Sequence, residues 1–177
     1  MAEESSRKKE GAGFFRLGPG GRAFVEKTKS EWGTQKGAPM MQMHWLCAQL
    51  GLVAWSKDES MPDAPPGGNQ NELVQTFGGK TREYQVYYRS FLMYRHLCGL
   101  GYIDFDEEMS DPIEQAMNAF LQSSGSHLTN DGMKILDSFA QKGWDIIESR
   151  GFEDAPTLSD FLPHYVELII EYSSVDE

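Results

Sequence analysis

"NDGMKILDSFAQKGWDIIES", residues 130–149, is the stretch that decides the fold. Met133, Leu136, Phe139, Ala140 and Ile147 recur at spacings of three, four and seven, which lines them up on one face of a helix with 3.6 residues per turn. A half-buried strand would alternate apolar and polar residues, and this stretch does not. Gly143 interrupts the run, and the sequence reads it as a weak point or an end of the helix.

The same rhythm recurs on either side. In 159–173 the face is Leu162, Tyr165, Leu168, Ile169 and Tyr172, after a start near "PTLSD". In 112–123 it is Ile113, Ala116, Met117, Phe120 and Leu121, with Asp111 as a cap, Pro112 in the first turn and Glu114 as a carboxylate at its third position. In 81–98 Tyr84, Tyr87, Tyr88, Phe91, Leu92, Arg95 and Cys98 follow it, and a short helix fits "RAFVEKTKSEW" (22–32). No window shows the period of a strand. The expectation is an all-α fold, a single domain of five or six helices around one core, and 177 residues suffice to bury it.

One short pattern echoes along the chain. "LCAQLGLVAW" (46–55), "LCGLGYIDF" (97–105) and "FAQKGWDII" (139–147) each carry a glycine after an apolar helical stretch, followed by large apolar residues. That is the order a Schellman-type helix stop requires, so the echo reads as shared punctuation and not as a duplication.

Charge is segregated. Residues 1–39 hold eight basic and five acidic side chains, residues 40–100 five of each, and residues 101–177 three basic and seventeen acidic. The whole chain carries −11, which is unsuited to gripping nucleic acid or anionic lipid over its full surface. The Gly-rich stretch up to residue 21, with "GAGFFRLGPGG" (11–21), reads as a flexible basic arm. The expected division is 1–38 for this arm and a short helix, then 39–177 for a helical domain with a Pro/Gly-rich loop at 56–71. The most apolar run, 38–55, is broken by Gln42, His44 and Gln49 and falls short of the ~20 residues of a membrane span. "MAEESSRKKE" lacks the apolar centre of a signal peptide, and two cysteines in that setting suggest reduced thiols and a cytoplasmic protein.

Three motifs look chemical and fail on spacing. Read from Gly101, "GYIDFDE" fits the back half of a calcium loop, but the front positions hold His96, Cys98 and Leu100, none of which supplies a carboxylate. "GGKT" (78–81) resembles the end of a phosphate loop, but Val74 stands where the first glycine is needed. His44 with Cys47 and His96 with Cys98 match the inventory of a zinc site, but 48 residues separate Cys47 from His96, and His96 and Cys98 point about 200° apart on a helix. No calcium, zinc or other cofactor is therefore expected, and no catalytic motif is present.

The functional expectation is a non-catalytic helical interaction or assembly protein, possible as a subunit of a larger complex or virion, with a protein partner or self-assembly. Its candidate contact residues are Phe14, Phe15, Arg16, Leu17 and Arg22 in the arm, with Tyr87 and Arg89 on the tyrosine-rich helix, since aromatic residues and arginine anchor interfaces. The alternatives are a small nucleic-acid-associated protein, binding through the arm only with Arg7, Lys8, Lys9, Arg16 and Arg22, and an enzyme whose site only the fold assembles.

Overall fold

The computed structural model describes residues 15–31, 38–55, 63, 90, 93, 94, 97, 98, 110–121 and 128–173. The described residues include five helices with defined limits, α1 (Pro19–Lys27), α2 (Ala38–Val53), α3 (Ser110–Phe120), α4 (Asn130–Ser149) and α5 (Leu158–Ser173). Ser90, Met93, Tyr94, Leu97 and Cys98 are helical as well, within the stretch expected to be so. There is no strand among the described residues, only isolated bridge positions at Arg16 and between Leu121 and Leu128. The all-α expectation holds.

The helix starts follow from local chemistry. Thr129 caps α4, its Oγ1 accepting the Gly132 amide at 2.9 Å. Thr157 caps α5: its Oγ1 accepts the Asp160 amide at 3.1 Å and donates to Asp160 Oδ2 at 2.6 Å. Pro19 opens α1 at the position where its missing N–H is no loss.

The core is built on α2 against α4. Unlike a surface helix, α2 is buried on several sides, with Met41, Met43, His44, Cys47, Ala48, Leu50 and Leu52 all enclosed. On α4, Met133, Leu136, Phe139, Ala140 and Ile147 are buried, as their spacing predicts. The two helices run in the same direction. His44 contacts Asp137 and Gly51 contacts Gly143, so contacts occur in the same order along both.

At Gly51 and Gly143 the structure corrects the sequence. Neither glycine ends its helix: α2 continues to Val53 and α4 to Ser149. Both are there because the backbones touch. A Cβ on Gly51 would stand 1.9 Å from the Phe139 carbonyl oxygen, and a Cβ on Gly143 1.9 Å from that of Cys47. The echo between "CAQLG" and "FAQKG" is thus a reciprocal contact, each motif lying on the other. The left-handed stop expected at Gly143 occurs eight residues later, at Gly151, with φ 69°. Phe152 then folds back onto the core, as such a stop requires.

α1 and α5 pack on this pair from other sides. Phe24 of α1 packs on Phe161 with ring centroids 4.8 Å apart, and more loosely on Trp144 at 6.3 Å. Polar ties fix the ends: Lys27 Nζ donates to the Glu153 and Asp154 carbonyls at 3.3 and 3.2 Å, and the Leu158 amide donates to Glu31 Oε2 at 2.9 Å.

Candidate functional site

Two features stand out from this frame, one inside the molecule and one on its surface. Inside, the segment just before α1 is part of the body. The expected arm ran to residue 21, but Phe15 and Leu17 are fully buried members of the core. An apolar pair in a Gly-rich stretch has the most to gain by leaving water, and this chain's own α2 and α4 provide the place. Phe15 lies on the His44 ring, centroids 5.1 Å apart.

A buried polar cluster fixes that segment. Asp137, in the middle of α4, accepts the Arg16 backbone amide at 2.8 Å and contacts His44 Nε2 at 3.0 Å, both through Oδ1. The side chains of His44 and Asp137 are 0% and 1% exposed. Buried ionisable groups persist when they are paired and hydrogen-bonded, as these are. The cluster ties three parts of the chain together: the N-terminal segment, α2 and α4. Sequence reasoning missed Asp137, although a signal was present. It lies four residues after Met133 and three before Ala140, inside the apolar stripe, where an acidic side chain needs a partner.

Nearby groups are chemically quiet. Burial pushes the Cys47 thiol well above the usual thiol range, with the Asp145 charge adding to the effect. Tyr165 is raised by burial in the same way, and its hydroxyl donates to the Leu46 carbonyl at 3.0 Å, with Gln49 Oε1 also within reach at 3.2 Å. His44 and Cys47 share α2, but no group of three or more His, Cys, Asp and Glu is placed to hold a metal ion among the described residues.

The other expected contact residues divide. Arg16 and Arg22 are half-buried. Phe14, Tyr87, Arg89, Arg7, Lys8 and Lys9 lie outside the described residues, as do the half calcium loop from Gly101 to Glu107 and "GGKT".

The surface feature is on α5. At 100° per residue its side chains fall into three sectors. Phe161, Tyr165 and Leu168 are buried, with Tyr172 half-buried beside them. Turning past half-buried Leu158 and Ile169 brings Leu162, Ser173, Val166, Ser159, Ile170 and Pro163, all exposed and none charged. Beyond these stand Glu167, Asp160, Glu171 and His164, an acidic ridge. The sequence had placed Leu162 on the buried face; Phe161 takes that role instead. Leu162, Val166 and Ile170 are 39%, 51% and 62% exposed and lie at i, i+4 and i+8, so they form one continuous aliphatic stripe.

The ridge beside it is held in place. His164 Nδ1 lies 3.4 Å from Glu167 Oε2 and its ring stacks on Phe152 at 4.6 Å. Glu171 pairs with Arg150 of the α4 terminus. Pro163, within the helix, has no N–H to give the Ser159 carbonyl, and both residues are exposed.

Comparison with protein-family models, with curated proteins and with solved structures finds no match for this chain. No described helix is long and apolar enough to cross a membrane.

Proposed function

We propose that the chain is a non-catalytic helical protein that works by contact, and that its contact surface is the outer face of α5. The observation that carries this is the stripe of Leu162, Val166 and Ile170. Single exposed aliphatic residues are ordinary, but three in register on a rigid helix make a patch of the kind that marks binding surfaces. The stripe has the i, i+4, i+8 geometry by which helices dock on one another. The acidic ridge alongside disfavours nucleic acid at this face.

A photo-crosslinking amino acid placed at Val166, in the cells that make the protein, tests this. The same group at Glu148, exposed on α4 away from the stripe, is the control. Position 166 is expected to give discrete protein adducts that disappear with Leu162→Ser/Ile170→Ser. Equal and diffuse adducts from both positions would end the proposal.

A further inference from the structure

The stripe has one bare side and one charged side, and this asymmetry selects the occupant. We infer that the α5 face receives a basic amphipathic helix of another protein, in a transient contact, and not a second copy of this chain; the inference rests on the proposed contact role of α5.

Three observations support it. Across the outer face, apolar side chains pass directly into Glu167 and Asp160, with His164 and the Arg150-paired Glu171 beside them and no lysine or arginine on α5 itself. A helix seated on Leu162, Val166 and Ile170 would place one flank over that ridge, and lysine or arginine there would meet carboxylates. In an antiparallel symmetric pairing of two copies the ridge would approach its own copy, carboxylate to carboxylate, which costs affinity, and in a parallel one it would face the uncharged flank and gain nothing. The wider charge agrees, since residues 101–177 carry three basic and seventeen acidic side chains.

Size is the second argument. Ile170 lies eight positions beyond Leu162, about 12 Å of helix, or a little over two turns. Three part-exposed aliphatic residues fall well below the roughly 800 Å² per partner that a stable interface buries. A persistent homodimer needs more surface; a regulated contact with one helix does not. Third, the surface is preorganised. The cap at Thr157, the buried Phe161, Tyr165 and Leu168 and the Arg150–Glu171 pair fix α5 before any partner arrives, so little conformational freedom is lost on docking.

The test uses the full chain and two synthetic helices of about four turns. Both carry the same leucine stripe; one has lysines along one flank and the other glutamates. Binding is read by fluorescence anisotropy, self-association by sedimentation. The lysine helix is expected to bind saturably, at least about tenfold tighter than the glutamate helix. Val166→Ser/Ile170→Ser, which leaves charge unchanged, should abolish that binding. Glu167→Lys should weaken it about fivefold, while Glu148→Lys, the same charge change elsewhere, should have little effect. Circular dichroism and melting of each variant confirm that the helix persists.

Equal losses from Glu167→Lys and Glu148→Lys would reduce the attraction to net charge and overturn the inference. So would equal binding of the two helices. A concentration-dependent dimer dissolved by Val166→Ser/Ile170→Ser would make the occupant a second copy; the inference would fall and the contact role would stand. If neither helix binds but Val166 still crosslinks to a discrete protein, the basic partner falls alone. If neither helix binds and nothing crosslinks, both fall.

Discussion

The α2–α4 seam and the outer face of α5 are both apolar helix surfaces, and they have opposite fates. At the seam the helices approach until only hydrogen fits at positions 51 and 143, and the interior closes over Phe15, Leu17 and the His44–Asp137 pair. On α5, Leu162, Val166 and Ile170 stand in water. The difference is not one of hydrophobicity. Glycine and buried acid–base chemistry mark the surface that this chain completes by itself, whereas large aliphatic side chains beside a one-sided acidic ridge mark the surface it leaves to others.

The harshest way to break this contrast is at the seam. Gly143→Val places a branched side chain into the Cys47 carbonyl, against backbone that has no rotamer to change. Destabilisation of at least about 3 kcal/mol is expected, more than ordinary overpacking, from urea unfolding followed by circular dichroism. A stable, well-folded Gly143→Val protein would mean that the helices are not in contact there.

Next is the polar cluster. Asp137→Ala leaves His44 and the Arg16 amide without their acceptor and is expected to cost about 3–5 kcal/mol. A double-mutant cycle with His44→Ala should show strong coupling, and additive losses would dismiss the pair as incidental. Leu17→Ala should cost about 2–5 kcal/mol by the same unfolding measurement, as a buried leucine does. If it costs nothing, the N-terminal segment is an arm after all.

A pH series sharpens the contrast further. Cys47 and Tyr165 have folded-state values raised by burial above the ordinary 9.0 and 10.0, so their neutral forms are the ones the fold holds. Their contribution is complete below pH 9, and it declines as pH rises above the ordinary thiol and then phenol values, because only the unfolded chain ionises there. Cys47→Ala/Tyr165→Phe should flatten that alkaline decline.

The smallest expected effect is on α5. Val166→Ser/Ile170→Ser should change stability by no more than about 0.5 kcal/mol, since the side chains are already hydrated and the helix propensities are alike. A large loss would show that the stripe is structural and would remove its claim to a partner.

Much of the fold was legible in the sequence. The period of residues 130–149 gave α4 its limits, and "PTLSD" gave the start of α5 through its cap. What could not be read was which neighbour each face would meet. Gly143 has one meaning as a chain stop and another as a contact point, and only the position of Gly51 decides between them. Leu162 and Phe161 are adjacent, so a shift of about 100° on the helix exchanges inside for outside. Phe15 and Leu17 sit in a stretch that reads as an arm, and nothing local places them against the Asp137 cluster, because that cluster joins positions 16, 44 and 137. The α5 stripe escaped notice for a related reason: it becomes visible only once the buried residues of the same helix are known.

The common direction of α2 and α4 has a consequence for how the chain gets to this state. Neighbouring helices joined by a short turn run in opposite senses, so two that run alike require the intervening chain to travel back along their length before the second can begin. Gly51 and Gly143 lie 92 positions apart. Closing a loop of that size carries an entropic penalty of about 4 kcal/mol, and it falls due before the seam returns any burial. The encounter of residues 47–51 with 139–143 is therefore the expected kinetic bottleneck of folding, late and all-or-none, while each helix by itself can form in about a microsecond.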